Sequence, residues 1–477
     1  MSHPFAEAVP RLHDPAMSIV GRGGRDGSRE DVVEVFAEHA YREQLTVSFD
    51  RGRSSGRPPE LHSRTEQSGF SLRLVGPRIS HFTSAPGLDE DRLVLAALQV
   101  LPTTSRDGGG GSRSRNAHEI PVPSSDLPPD APDATSLDEK RELLRAAADA
   151  ARSLAPDLDS LEVSFQGFVR RIAVWASDIQ PATWSTVHSG LCVSAAGRGV
   201  STHAVGGAPG GLGHFMLETP EAIARACIER LHAIERAAAA SNLRGEMPVI
   251  LEAGWGGVWL HETIGHLLEA DVRSPLFERH IGMEIGSEHV TIVDDGTMPD
   301  GRGSAPYDDE GMPSRRTVLV EHGILRSFMT DRRRAMDRRL ARTPNGRRQN
   351  FSTPPLPRMT NLILDNGTHP PEALVADVRH GLYVSMIGNG VVLPAEDRFH
   401  FDVMEGRRIE NGRLTEPVSS LRLSGRPSDM LQRIRGVAND FRLDPARGAC
   451  IKSGQTVPVS VGMPTVLIHR LDVAPPG

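Results

Sequence analysis

Two histidines and a glutamate stand inside an otherwise apolar run, Trp259-Leu260-His261-Glu262-Thr263-Ile264-Gly265-His266-Leu267-Leu268-Glu269-Ala270-Asp271. Polar side chains buried in such a run are costly unless something pairs them, and a divalent metal would. The spacing is His-Glu-x-x-x-His, one residue longer than the His-Glu-x-x-His that sets two imidazoles on one helix face. In a regular helix, positions i and i+4 lie about 40° apart around the axis and positions i and i+5 about 140°. A regular helix therefore cannot aim both rings at one ion. A one-residue π-type widening would bring them together, and Gly265 is where the backbone is expected to give. On spacing alone, a core helix with two satisfied histidines and an exposed glutamate stands beside the metal reading.

A third ligand is less legible. Lone cysteines are most often small buried hydrophobes, and Cys192 and Cys227 read that way. Cys450 lies between Gly448 and Gly454 in a segment that reads as non-repetitive, just before the last strand. Glu269, one turn after His266, could ligate directly; the better reading is a carboxylate that hydrogen-bonds a ligating imidazole from outside.

These residues must be positioned by a chain of 477 residues, which suits two domains. Hydrophobic residues make up 38%, with no apolar run approaching a membrane span. The N-terminus lacks the charged-then-apolar order of a signal peptide, and three cysteines cannot frame disulfides, so a reducing cytoplasm is expected. A net charge of -7 argues against general nucleic-acid affinity. The arginine run from Arg332 to Arg348 has no aromatic residue for base stacking and reads as a solvated helix.

Residues 1–28 read as a loose leader, and 29–240 as a mixed α/β N-terminal domain. Glu30 to Tyr41 suits a short amphipathic helix. Leu45–Phe49 and Phe70–Val75 alternate as half-buried strands do, and Asp89–Val100 reads as a helix. Residues 105–136, rich in glycine and proline, read as a flexible insertion. Leu137–Leu154 is a helix, Leu161–Phe165 and Arg171–Ala176 look like paired strands, and Thr186–Ser194 like another. Gly206–Gly213 reads as a loop. Thr219 caps a helix opening with Pro220 and running to about residue 240.

The C-terminal domain, 241–477, opens on the buried strand Pro248–Ala253. Gly254-Trp255-Gly256-Gly257 then turns the chain into the histidine helix. Short strands and turns follow, so the fold class is α+β with a largely β C-terminal domain carrying the site. Gly388, Asn389 and Gly390 would let a substrate backbone approach closely, although a plain turn explains them equally well. An unfolded peptide could add as a strand to an exposed edge, with affinity that depends little on its sequence.

Several ordered motifs accompany the helix: Asp294-Asp295-Gly296-Thr297, Asp308-Asp309-Glu310-Gly311, Asn345-Gly346-Arg347-Arg348, Pro357-Arg358-Met359-Thr360-Asn361, Ile409-Glu410-Asn411-Gly412, Gly448-Ala449-Cys450-Ile451-Lys452-Ser453-Gly454-Gln455 and Pro458-Val459-Ser460-Val461-Gly462. Together they resemble the TldD/PmbA family of metalloproteases, also known as microcin-processing proteins or modulators of DNA gyrase. The N-terminal half matches only in outline. The resemblance implies a zinc site on His261, His266 and Cys450, with Glu262 as the catalytic glutamate. It also implies hydrolysis of amide bonds in unfolded or modified peptides by a metal-activated water. A dimer is implied as well, in which the partner can be a TldE-like subunit lacking the metal motif. This chain keeps the motif and looks like the active type. The alternatives are a specialised amide hydrolase on a small biosynthetic substrate, or a non-catalytic partner subunit. Arg358 would either orient a substrate carboxylate or stabilise the fold.

Overall fold

The computed structural model describes residues 4–21, 31–51, 58–76, 79–100, 127–239, 243–272, 277, 280–444 and 448–475. Six antiparallel strands build the N-terminal domain: β1 (Val32–Asp50), β2 (Glu60–Val75), β3 (Ser80–Pro86), β4 (Ser160–Ala176), β5 (Ala182–Gly197) and β6 (Val200–Pro209), ordered β3-β2-β1-β4-β5-β6. Strict alternation along the long strands gives the sheet two different faces. Val33, Val35, Leu45, Val163, Phe165 and Leu191 face the helices α1 (Pro4–Val20), α2 (Glu90–Val100), α3 (Leu137–Leu154) and α4 (Pro220–Arg236). Phe36, Ile172, Val174 and Trp184 face the other way, toward Tyr307 and Phe351 of the C-terminal domain.

Several expectations are corrected here. Where a loose leader is expected, α1 buries Phe5, Val9, Leu12, Ala16 and Ile19 against the sheet, an i, i+3/i+4 stripe within a polar-looking segment. Of the stretch from Glu30 to Tyr41 expected as a helix, Glu30 lies outside the described residues and Val32 to Tyr41 is strand. Val32, Val33, Val35 and Phe36 are covered on both faces, so buried residues run consecutively and blur the period of two. Leu161–Phe165 and Arg171–Ala176 are two ends of the single strand β4, and the first part of the Gly206–Gly213 segment belongs to β6. Residues 105–126 of the expected insertion lie outside the described residues. The following stretch is packed, with Ala131 fully buried beside Tyr41 and Val169, and Asp133 paired with Arg171.

The helix termini follow their local chemistry. Ser136 and Glu139 form a capping box on α3, and the Thr219 hydroxyl accepts from the Ala222 amide ahead of α4.

In the C-terminal domain the strands Gly245–Leu251, Val466–Ala474, Leu421–Gly425, Arg398–Glu410 and His380–Leu393 pair in that order, and the last pairs back to the first, closing a small barrel. A second sheet runs through Arg316–Glu321, Ile292–Asp295, Asn361–Leu364 and Ser460–Met463. One apolar core joins the two and takes in Trp259, Leu260, Leu267 and Leu268 of the histidine segment. No described helix is long and apolar enough to cross a membrane.

Candidate metal centre

The histidine segment enters from the barrel strand Gly245–Leu251 through Gly254, whose φ of 89° is the left-handed value glycine tolerates. Helix α5 (Gly256–Thr263) follows. A side chain on Gly257 would come within 2.9 Å of the Gly462 backbone, so glycine lets α5 lie directly on the strand Ser460–Met463.

The one-residue excess between the histidines is absorbed by a break, not by the π-type widening expected. α5 ends at Thr263, Ile264 takes φ -120° and ψ -44°, and the chain resumes as the 3₁₀ turn Gly265–Leu268. Tighter winding after the break swings His266 back toward His261, and their rings meet edge-on with centroids 4.9 Å apart. Gly265 sits at the junction because a Cβ there would strike Met359 Sδ at 2.5 Å and Leu362 at 2.7 Å.

Cys450 arrives from nearly two hundred residues downstream. It lies on a strand, Ala449–Lys452, paired with Gln455–Pro458, where a non-repetitive segment is expected. Ser453 and Gly454, both at positive φ, make the two-residue turn of this hairpin. Ligand atoms of His261, His266 and Cys450 all lie within 4.8 Å of one another, and Cys450 Sγ is 3.6 Å from His266 Nε2. Two imidazoles and a thiol in that space are a donor set zinc takes, with room for a fourth position. His261 Nδ1 is buried with no hydrogen-bond partner, so the apolar core does not satisfy this ring. The three residues form a cluster able to hold a metal ion.

The electrostatics fit that use. Burial would push the Cys450 thiol up, but hydrogen bonds with His261 and His266 outweigh it and bring it down to about 5, favouring the thiolate that ligates. Burial would likewise lower His266, yet Cys450 and Glu269 raise it to about 10. Glu269 is fully buried, and its Oε2 lies 2.7 Å from His266 Nδ1, leaving Nε2 toward the cluster. Against the upward push of burial, His266 and Lys452 hold the Glu269 carboxyl down to about 2. Glu262 is next to the cluster, Oε1 3.9 Å from His261 Nε2, and its side chain is 44% exposed.

Two positioning residues emerge, of which Lys452 was not foreseen in this role. Lys452 donates to Glu269 at 2.8 Å, to Asp271 at 2.6 Å and to the Pro357 carbonyl at 3.1 Å, tying the cysteine hairpin to the histidine segment. It is one of two lysines in the chain, a rarity that could have flagged it. Arg358, weighed as a substrate contact or a stabiliser of the fold, has no exposed surface; it donates to the carbonyls of Cys450 at 2.6 Å and Gln455 at 3.2 Å. Gly388, Asn389 and Gly390 lie within the barrel strand His380–Leu393, not in a turn. Side chains on the two glycines would collide with Met404 and Phe401.

Four of the ordered motifs, at 294–297, 308–311, 345–348 and 357–361, prove to bond one another. Asp294 accepts from Asn345 at 2.6 Å and from the Thr360 hydroxyl at 2.7 Å, Asp308 from the Gly346 amide at 3.0 Å, and Asp309 from the Arg348 amide at 2.8 Å. They frame the centre instead of lining it. The arginine run is likewise not a solvated helix throughout. α6 (Arg332–Arg338) begins with a buried arginine paired to Glu34 and Asp178, and Arg348 is buried against Glu34 as well.

Residues 244–475 match the family model described as PmbA/TldA metallopeptidase C-terminal domain. A Metalloprotease TldD homolog of Haemophilus influenzae is 42% identical over 232 residues, 48% of each chain, so the chain matches about half the length of that relative. A metalloprotease of Methanothermobacter thermautotrophicus is 33% identical over 414 residues, covering 84% of this chain and 88% of that one. The structure of TldE from Thermococcus kodakarensis shares the fold, with a TM-score of 0.68 at 17% identity over 98% of this chain and all of that one. With a relative of this identity matched along most of its length, the chain belongs to the TldD/PmbA family of metalloproteases.

Proposed function

We propose that the chain is a zinc-dependent peptidase hydrolysing amide bonds of unfolded or modified peptides. The observation that carries this reading is the convergence of His261, His266 and Cys450 beside an exposed Glu262. His261, His266 and Cys450 would hold the zinc, which when bound would supply Lewis acidity to the attacking water and the scissile carbonyl. Glu262 takes the proton of the attacking water at its carboxylate and returns it to the leaving amine. Glu269 holds the His266 Nδ1 proton and fixes that ring, while Lys452 and Arg358 hold the hairpin that delivers Cys450.

Peptide is taken along the barrel strand His380–Leu393. Its neighbour Gly245–Leu251 pairs only with Leu382, Tyr383 and Val384, so from Ser385 onward that edge meets no other strand among the described residues. Main-chain groups along Gly388-Asn389-Gly390 would bind an added strand with little regard to its sequence. The chain works in the cytoplasm, in keeping with its free cysteines, and as a dimer, with a second copy or with a TldE-like subunit.

Zinc content per chain and hydrolysis of an unstructured peptide mixture test this reading, on wild type and Cys450→Ala. One zinc lost together with cleavage is the expected result. Cleavage surviving the loss of zinc would overturn it.

A further inference from the structure

A cleft of about 600 Å³ contains none of His261, Glu262, His266 or Cys450. Its floor is the face of the N-terminal sheet turned away from the helices. One cross-strand row there is Thr65, Arg42, Phe168, His188 and Pro209, in register from β2 to β6. The adjacent row is Ser63, Gln44, Gln166, Gly190 and Gly207. The opposite wall includes Ala449, Thr456 and Pro458 of the cysteine hairpin. Side chains alternate along a strand, so these point to the face opposite Cys450 and Val457, which are buried in the core. The cleft and the metal cluster therefore share the hairpin as a common wall.

The floor is built for polar contact. Gln44 and Gln166 each offer an amide donor and acceptor, matching a peptide unit. Beside them Gly190, where a Cβ would meet nothing closer than the Gly206 carbonyl at 3.8 Å, leaves the strand backbone bare, so another chain can approach closely. In the other row the Arg42 guanidinium lies 5.0 Å over the Phe168 ring, and Phe168 stacks on His188 at 6.1 Å. His188 is 6% exposed, and its Nδ1 has no hydrogen-bond partner. Arg302 also lines the cleft beside it. The acidic lining group Glu43 is already engaged by Lys140 and His62, and Asp300 is exposed.

We propose that this cleft is a second binding site, taking an extended polypeptide segment whose carboxylate sits at the row of Arg42, His188 and Arg302. The segment lies against the back of the hairpin that carries Cys450, so the site is distinct from the cleavage centre. It rests on the reading of peptides as the substrate class only for the identity of its occupant.

The test uses the full chain stripped of metal, so that no cleavage intervenes. A fluorescently labelled glycine-, serine- and alanine-rich peptide is titrated by anisotropy, as free acid and as carboxy-terminal amide. Wild type binds the acid, and the amide binds about tenfold more weakly, the equivalent of one lost charged contact. Gly190→Leu fills the floor; a Cβ there meets nothing closer than the Gly206 carbonyl at 3.8 Å, so the fold accommodates it. This variant binds the acid at least about tenfold more weakly while taking up zinc as wild type does. Gln166→Leu, at an exposed position, serves the same purpose should Gly190→Leu fold poorly. Equal affinity for acid and amide, or full binding by the filled variant, overturns the proposal. Cleavage by zinc-loaded wild type is scored separately: binding without cleavage removes the peptidase reading and leaves the cleft, and cleavage without cleft-dependent binding does the reverse.

Discussion

Glu269 shows how much of the centre depends on groups that would never touch the ion. It is buried, receives His266 Nδ1 on one side and Lys452 on the other, and stays ionised because both partners are cationic or donating. Glu269→Gln and Lys452→Met are each expected to weaken zinc binding by about 10–100-fold, the usual effect of removing an outer hydrogen-bond partner. Competition against a chromogenic chelator measures this, and Lys452→Arg should restore part of the loss. Glu262→Gln should behave oppositely, keeping zinc while turnover falls by about 10²–10⁴-fold, as loss of a general base does. Metal analysis beside single-turnover peptide hydrolysis separates the two behaviours. His188 makes a pH prediction. Burial, with Arg302, Arg347 and Arg170 nearby, lowers it from 6.5 to about 3, so it is neutral when folded. Its contribution is fully present above pH 6.5 and is lost as pH falls from there toward 3, where the unfolded chain takes up the proton first. Urea unfolding at stepped pH should show a shallower acid decline in His188→Gln.

The histidine segment makes the corresponding point for an element. A straight helix cannot present His261 and His266 to one ion, and the chain solves this by ending α5 and rewinding tightly at Gly265. Gly265→Val would push Met359 and Leu362 aside in a closed core, an overpacking cost of typically 1–3 kcal/mol. A lowered melting temperature together with lost zinc affinity is expected; an unchanged melting temperature would remove the packing argument. The break was not legible from residue types, because the need for a bend followed from the spacing while its form depends on Met359, distant in sequence. The cysteine hairpin is similar. Its Ser453-Gly454 turn is readable locally, but short polar strands such as Gln455–Pro458 have no pattern until their partners are known.

At the scale of the molecule, buried ion pairs lock the two domains face to face. Glu34 of β1 receives both Arg332 and Arg348, Arg73 of β2 pairs with Glu310, and Arg170 of β4 reaches Asp309 at 3.2 Å. Glu34→Ala would leave two buried guanidiniums short of a partner, and breaking such a pair typically costs about 3–5 kcal/mol. Chemical denaturation should show the midpoint fall by a corresponding amount, and a surface-like loss under about 1 kcal/mol would contradict the network. From sequence, this arginine run reads as solvated because alternating charge looks the same whether its partners are water or another domain's carboxylates. The same blindness hid α1, whose apolar positions are spaced for a helix but diluted by polar and proline residues.

What the residues determined alone was the chemistry: an imidazole pair with a glutamate between them, an α+β pattern, helices α3 and α4 with Thr219 capping the latter, and ordered motifs too numerous to be chance. These are local properties, set by side-chain type and by spacing along one segment. Only tertiary structure decided that Cys450 meets the histidines, that Arg358 is buried behind it, that four of the motifs bond one another, and that a polar sheet face lies across the hairpin from the centre. Each of those depends on contacts between residues scores to hundreds of positions apart, and chain separation carries no trace of proximity until the core has closed.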